Sequence, residues 1–196
     1  MRLGIVADSH CNIAGLRRAV ELMGPVDEIL CAGDSIYEFR YSAETLRFIR
    51  ETGMRMVLGN HEQIFISAAG QDARARSNID SDTLDYLRSL PTVLETKLNG
   101  KRLLMAHGSP WDPIREYVYP HSTRMPQFSQ LGVDIVVMGH THCAMVKWVG
   151  RTLLINPGSC GESRNPFDRD ELTCAVVDTQ SDEAQILTFK DQTPRD

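Results

Sequence analysis

No apolar run in this 196-residue chain approaches the roughly 20 residues that a membrane-spanning helix needs. The apolar start, MRLGIVADSH, is interrupted by Asp8 and His10 before it reaches signal-peptide length. No membrane segment is expected, and the reading is of a cytoplasmic protein. Basic charge is not in excess either: 21 Lys and Arg stand against 26 Asp and Glu, a net charge of −5. That balance gives no general attraction to nucleic acid or an anionic membrane and leaves room only for a local basic site. Cysteine is sparse and unpatterned. Cys11, Cys31, Cys143, Cys160 and Cys174 form no C-x-x-C pair, which excludes a disulfide framework or a thiolate zinc site. Internal repeats, low-complexity tracts and long linkers are also missing, so a single domain over residues 1–196 is expected.

What is present is an alternation of strand and helix signals. The first half reads as a strand at Arg2–Ala7, a helix from Asn12 to Met23, strand Glu28–Ala32, a helix from Ser42 to Thr52 and strand Arg55–Leu58. Ile13, Leu16, Val20 and Met23 recur on one face of the first helix; Ser42 caps the second and Gly53 stops it. Gly70–Ser81 reads as a polar, mobile connection before a helix at Ser81–Ser89. The second half is strand-rich: Thr92–Leu98 and Arg102–Ala106 around the hairpin signal Asn99-Gly100, then Val133–Met138, Ala144–Val149, Thr152–Ile155, Leu172–Val177 and Gln185–Phe189. About ten strands in a chain of this length fit two packed sheets covered by helices better than one sheet.

The residues that leave those strands share a chemistry. Asp8 and His10 follow the first, Asp34 the second, Asn60 and His61 the third; His107 follows RLLMA, and His140 and His142 follow DIVVMG. In α/β proteins, groups distant in sequence converge in the crevice outside the carboxyl ends of strands. Gly33, Gly59, Gly108 and Gly139 adjoin these residues and could allow sharp bends. The D-x-H and H-x-H pairs would point to one side if their segments are extended. Two Asp, one Asn and four His suit two metal ions sharing one ligand, with His61 left over. Nitrogen and oxygen donors without thiolate favour Mn²⁺, Fe or Zn²⁺ over Ca²⁺. His121, in the loop YPHST, carries no such signal.

Asp8–His10, Gly33–Asp34, Gly59–Glu62, His107–Gly108 and Gly139–His142 together resemble the ordered blocks of calcineurin-like metallophosphoesterases, from residue 1 to about residue 178. His107–Pro120 and Ile155–Pro166 are similar to the small bacterial phosphodiesterase-like branch. The resemblance implies a four-layer α/β/β/α sandwich of two mixed sheets flanked by helices. It implies a first metal on Asp8, His10, Asp34 and His142 and a second on Asp34, Asn60, His107 and His140, with Asp34 bridging. It also implies hydrolysis of a phosphoester, a diester or nucleotide-like compound, by direct attack of a hydroxide generated on the metal pair, Mn²⁺ foremost and Fe, Zn²⁺ or a mixed pair as alternatives. His61 is then the candidate to protonate the leaving alkoxide, and Arg164 the candidate phosphate contact.

One block departs from the pattern of the Ser/Thr phosphatase relatives, in which a G-D-x-x-D block supplies an Asp that orients the histidine. Here Tyr37 stands at that position, followed by Glu38. Either Glu38 substitutes or His61 is oriented differently. Two rival readings are a metal-binding scaffold of the same fold without turnover, and a cysteine-dependent phosphatase using Cys11 and Arg17 of an H-C-x₅-R segment. In the scaffold reading Trp111, Tyr117 and Tyr119 would form a contact surface; in the enzyme they pack beside the active-site entrance. The oligomeric state is not encoded.

Overall fold

The computed structural model describes residues 1–191. Two five-stranded mixed sheets lie face to face. The first has the order β10-β9-β1-β2-β3, from β1 (Arg2–Val6), β2 (Glu28–Cys31), β3 (Arg55–Met56), β9 (Glu171–Asp178) and β10 (Glu183–Lys190). The second has the order β4-β5-β6-β8-β7, from β4 (Val93–Leu98), β5 (Lys101–Ala106), β6 (Ile135–Val137), β7 (Met145–Val149) and β8 (Thr152–Asn156). In the first sheet β1, β2 and β3 are parallel, and β9 and β10 close the edge antiparallel. In the second, β5, β6 and β8 are parallel between antiparallel edge strands.

The alternation of each strand separates the layers. Leu3, Ile5, Leu30, Leu103, Met105, Ile135, Val137, Leu153 and Ile155 meet between the sheets. Their neighbours turn outward. Val6, Cys31, Leu172, Cys174 and Val176 pack under α1 (Ile13–Met23), α2 (Ala43–Glu51), α3 (Asn60–Ile66) and α5 (Ser81–Ser89). Leu104, Ala106, Val136 and Leu154 pack under Val118 and a 3₁₀ helix, Met125–Gln130. The flanking layer of the second sheet is thus thinner than that of the first.

Local signals explain most elements. Asn12 and Ser42 cap α1 and α2 by accepting the Gly15 and Thr45 amides, and Gly53 takes φ +66° after α2. Asn99 and Gly100 both take positive φ in the β4–β5 hairpin. The segment expected as a mobile connection is instead ordered: a 3₁₀ turn at Ala68–Gly70 runs into α4 (Gln71–Ser77). Three things override its polarity. Ala73 is buried, Arg74 donates to the Phe65 and Ser67 carbonyls, and Asp72 and Arg76 complement the helix dipole. Strand β3 ends two residues early because the Leu58 amide turns to the Pro91 carbonyl.

Candidate metal centre

All the strand exits singled out above lie at one end of the two sheets and are stitched together by main-chain bonds. Asp8 and His10 donate their amides to the Gly33 and Asp34 carbonyls, each at 3.0 Å, and Gly139 donates to the His107 carbonyl at 2.9 Å. The His140 amide donates to Asp8 Oδ2 at 3.0 Å.

The D-x-H and H-x-H pairs are not on extended segments. Asp8, His10, Asp34, His140 and His142 each take φ between 45° and 67°, five of the nine non-glycine residues with positive φ among those described. Each such conformation costs on the order of 1–3 kcal/mol, and its concentration here marks a functional site. The bends belong to the donor residues themselves; of the four neighbouring glycines only Gly33 has positive φ. Gly59 is needed for closeness instead, since a Cβ there would stand 2.1 Å from Asp34 Oδ1.

Two donor sets result. Asp8, His10 and His142 form one: His10 Nε2 and His142 Nε2 are 3.0 Å apart, and His142 Nε2 is 3.4 Å from Asp8 Oδ1. Asp34, His107 and His140 form the other, joined by Asn60: His107 Nε2 lies 3.1 Å from Asp34 Oδ2, 3.0 Å from Asn60 Oδ1 and 3.1 Å from His140 Nδ1. Asp34 also groups with His10 and His61, so it faces both sets. Donors about 2.0–2.1 Å from an ion at tetrahedral or octahedral angles would lie roughly 3.0–3.4 Å from each other; the distances above match this, while His10 Nε2 and Asp8 Oδ1 stand wider, at 3.8 Å.

The second ring nitrogens of three of the four histidines fit the same chemistry, whereas His10 Nδ1 is buried with no hydrogen-bond partner among the described residues. His107 Nδ1 donates to the Ala32 carbonyl at 2.7 Å, His142 Nδ1 to that of Glu162 at 2.8 Å, and His140 Nε2 to that of Arg115 at 3.3 Å. Such carbonyl contacts fix which nitrogen faces a metal. Among the described residues Asp8 Oδ1 is buried with no hydrogen-bond partner, grouped with His10 and His142. The residues present therefore fit divalent cations.

Electrostatics agrees. Burial lowers His10 to about 4, and burial together with cationic His107 lowers His140 to about 4, so both offer lone pairs. Burial disfavours a charged His107, but Asp34 outweighs it and lifts the ring to about 9. Burial would raise Asp8 and Asp34; the facing histidines win and hold both below the usual carboxylate value.

His61 stands beside this cluster with Nε2 3.7 Å from Asp34 Oδ2, its ring edge-on to His10 and Tyr37. Glu38 meets its Nδ1 with the side-chain carboxylate and, at 3.2 Å, the backbone nitrogen. Glu38, and not Tyr37, is the residue in contact with Nδ1, by its main-chain N–H and by the proximity of its carboxylate. Tyr37 instead stacks on His10 at 4.6 Å and donates to Glu162. Arg164 is exposed on the loop after β8, in a cavity it shares with His142 and Glu162. His121 stacks at 5.9 Å on Tyr119 and is in neither donor set. Trp111 packs edge-on against Phe128, and Tyr117 stacks on His140 at 3.7 Å.

Glu62, only the edge of a motif in the sequence, anchors the centre. It is fully buried; Oε1 accepts from the Ser35 and Ile36 amides and the Ser35 hydroxyl, and Oε2 from the Asp34 and Gly59 amides. Burial and Asp34 push its carboxyl up, yet five donors need an acceptor-only partner. Its place three residues after Gly59, whose amide it accepts as the glutamate half of a capping box does, was the available signal. Glu62→Gln turns an amide group toward these donors. It is expected to cost about 2–4 kcal/mol, read as a lower urea midpoint at unchanged slope. An unaltered midpoint would contradict the anchoring role. Asn156 and Ser159 brace the same loops, donating to the Gly139 and Asp8 carbonyls at 2.7 Å.

The Cys11 and Arg17 reading finds no geometry. Burial pushes the Cys11 thiol up, the opposite of an activated nucleophile, and its Sγ donates to the Arg40 carbonyl. Arg17 is exposed, paired with Glu44 and laid over Phe48.

Comparison with known proteins follows the same line. The profile of the calcineurin-like phosphoesterase superfamily domain matches residues 1–182. A phosphodiesterase of Methanocaldococcus jannaschii is 22% identical over 82% of this chain and 84% of its own. A symmetrical bis(5'-nucleosyl)-tetraphosphatase of Paracidovorax citrulli is 32% identical over 55% of this chain and 44% of its own. The crystal structure of a metallophosphoesterase from Sphaerobacter thermophilus superposes with a TM-score of 0.81 at 23% identity, covering 98% of this chain and 90% of that one.

Proposed function

The chain belongs to the calcineurin-like phosphoesterase superfamily, and from that premise we propose that it is a phosphodiesterase acting on small, nucleotide-like phosphoesters with two divalent metal ions. The observation that carries the reading is the pair of buried donor sets meeting at Asp34. Asp8, His10, Asp34 and His142 would hold one ion; Asp34, Asn60, His107 and His140 the other. Mn²⁺ suits these nitrogen and oxygen donors first, with Fe, Zn²⁺ or a mixed pair as alternatives. Bound there, the ions supply Lewis-acid stabilisation of the phosphoryl oxygens and lower the pKa of water toward about 7, so no protein nucleophile is needed.

The chain's own residues supply the rest. Asp34 holds the two sets in register because Glu62 fixes its main chain and the His61 amide donates to its Oδ1 at 3.0 Å. His61, oriented at Nδ1 by Glu38, offers Nε2 as the proton donor to the departing oxygen. Arg164 contributes a guanidinium for a phosphate oxygen on the side of His142. No helix of the described residues is long and apolar enough to cross a membrane, and five unpaired cysteines fit the reducing cytoplasm.

A panel of phosphomonoesters and diesters with Mn²⁺ added tests the reading. Turnover that is abolished by a chelator and restored by the metal is the expected result. Full turnover in a metal-free preparation would sink it, and metal uptake with no turnover on any ester would transfer it to a metal-binding scaffold.

A further inference from the structure

Beside the second donor set a cavity of about 260 Å³ opens between Asn60, Gln63, Ile64, Arg115, Tyr117 and His140. Asn60 and His140 belong to the donor set, but Gln63, Ile64, Arg115 and Tyr117 are not accounted for by metal chemistry. Tyr117 lays one face on His140, with centroids 3.7 Å apart and planes 25° apart, yet remains 47% exposed. Tyr119 lies near-parallel to Tyr117 with centroids 6.3 Å apart, beyond face-to-face contact. Arg115 is exposed and forms no ion pair among the described residues. The acids of its own loop are engaged elsewhere. Asp112 Oδ1 accepts the Ile114 and Arg115 amides, and Glu116 pairs with Arg124 and Ser109.

This loop is built rather than loose. Gly108 donates to the Pro113 carbonyl at 2.7 Å, Ser109 to that of Asp112 at 2.9 Å, and the Arg115 carbonyl contacts His140 Nε2. The loop therefore fixes the Tyr117 ring against His140 and the main chain of Arg115, whose unpaired side chain lines the same cavity as Asn60 and His140.

We propose that this cavity is a nucleoside subsite, in which Tyr117 carries the base and Arg115 pairs with an oxygen of the phosphate that joins the nucleoside to the scissile group. The proposal deepens the phosphodiesterase reading and rests on it. A planar base suits an aromatic face, a phosphate suits a guanidinium, and the Gln63 amide can both donate to and accept from a base edge. The volume lies below the roughly 300–1,000 Å³ of pockets that enclose drug-sized ligands, so it fits one base and its sugar, open to solvent, rather than an enclosed dinucleotide.

The test compares thymidine 5'-(p-nitrophenyl phosphate) with methyl p-nitrophenyl phosphate, which share a leaving group, on the full Mn²⁺-loaded chain. The wild type is expected to prefer the nucleoside ester in kcat/KM by roughly 5- to 150-fold, mostly through KM, the range that base-on-aromatic stacking supplies. Tyr117→Leu and Arg115→Gln should each shrink that preference severalfold, whereas Tyr117→Phe, which keeps the ring, should retain it. Metal content is measured in every variant because Tyr117 touches His140. Calorimetric binding of thymidine 5'-monophosphate to the loaded protein gives a second readout and should weaken in the same two variants.

Equal rates on both esters in the wild type, or a preference unchanged in both variants, would overturn the subsite and leave the phosphodiesterase reading standing. Hydrolysis of neither ester would count against the phosphodiesterase reading. Calorimetry then decides the subsite alone: binding lost in Tyr117→Leu and kept in Tyr117→Phe supports it, and no binding overturns it.

Discussion

His61→Ala is expected to slow hydrolysis of an alkyl or nucleoside phosphoester by about 10²–10⁴-fold, equivalent to roughly 2.7–5.5 kcal/mol of barrier. The departing alkoxide is a poor leaving group, so it needs the proton that His61 Nε2 would give. A p-nitrophenyl diester should suffer much less, since p-nitrophenolate leaves unprotonated. The substitution keeps the main-chain amide that donates to Asp34 Oδ1, so the donor sets should survive; metal content in both proteins checks this. Equal losses on both substrates at unchanged metal content would mean that His61 positions substrate and does not donate a proton. Glu38→Gln offers a milder version, removing the charge against Nδ1 and leaving the ring in place.

Asp34→Asn should have an effect at the upper end of the same range and, unlike His61→Ala, at the cost of metal content. Its carboxylate faces both donor sets and is the main source of the field that holds His107 charged when no ion is present. Neutralising it removes the shared ligand, and the several kcal/mol that a metal pair contributes to the transition state go with it. That corresponds to on the order of 10³-fold or more in kcat/KM. His10→Ala should instead deplete mainly the first set. Elemental analysis of the two variants separates them. Equal depletion by both substitutions would contradict the shared role of Asp34.

The donor residues were legible because each follows a strand and sits in a short block, so topology alone brings them to one end of the sheets. Their local conformation was not legible. Asp8, His10, His140 and His142 were expected on extended segments, but they bend at positive φ; tertiary bonds across strand ends stabilise what local preference disfavours. α3 was missed because Asn60 and His61 were read as a strand exit, although the Glu62 carboxylate accepts the amide of its N-cap, Gly59. α4 was missed because its support comes from the Phe65 and Ser67 carbonyls and a buried Ala73, contacts that polarity conceals. Glu62 is a buried charge of which spacing from Gly59 exposes one contact, but its Asp34, Ser35 and Ile36 partners lie on another loop, which no spacing rule exposes. The outer cover of the second sheet was equally silent, since a 3₁₀ turn leaves little periodicity.

The central claim is that this chain holds two ions on donor sets joined by Asp34 and that hydrolysis requires them. Elemental analysis of the chelator-stripped, Mn²⁺-reconstituted protein, read beside its phosphodiesterase rate, tests it most directly. The account predicts two ions per chain at saturation, no turnover in the stripped protein and a rate restored as the sites fill; saturation at one ion, or undiminished turnover with none, would contradict it.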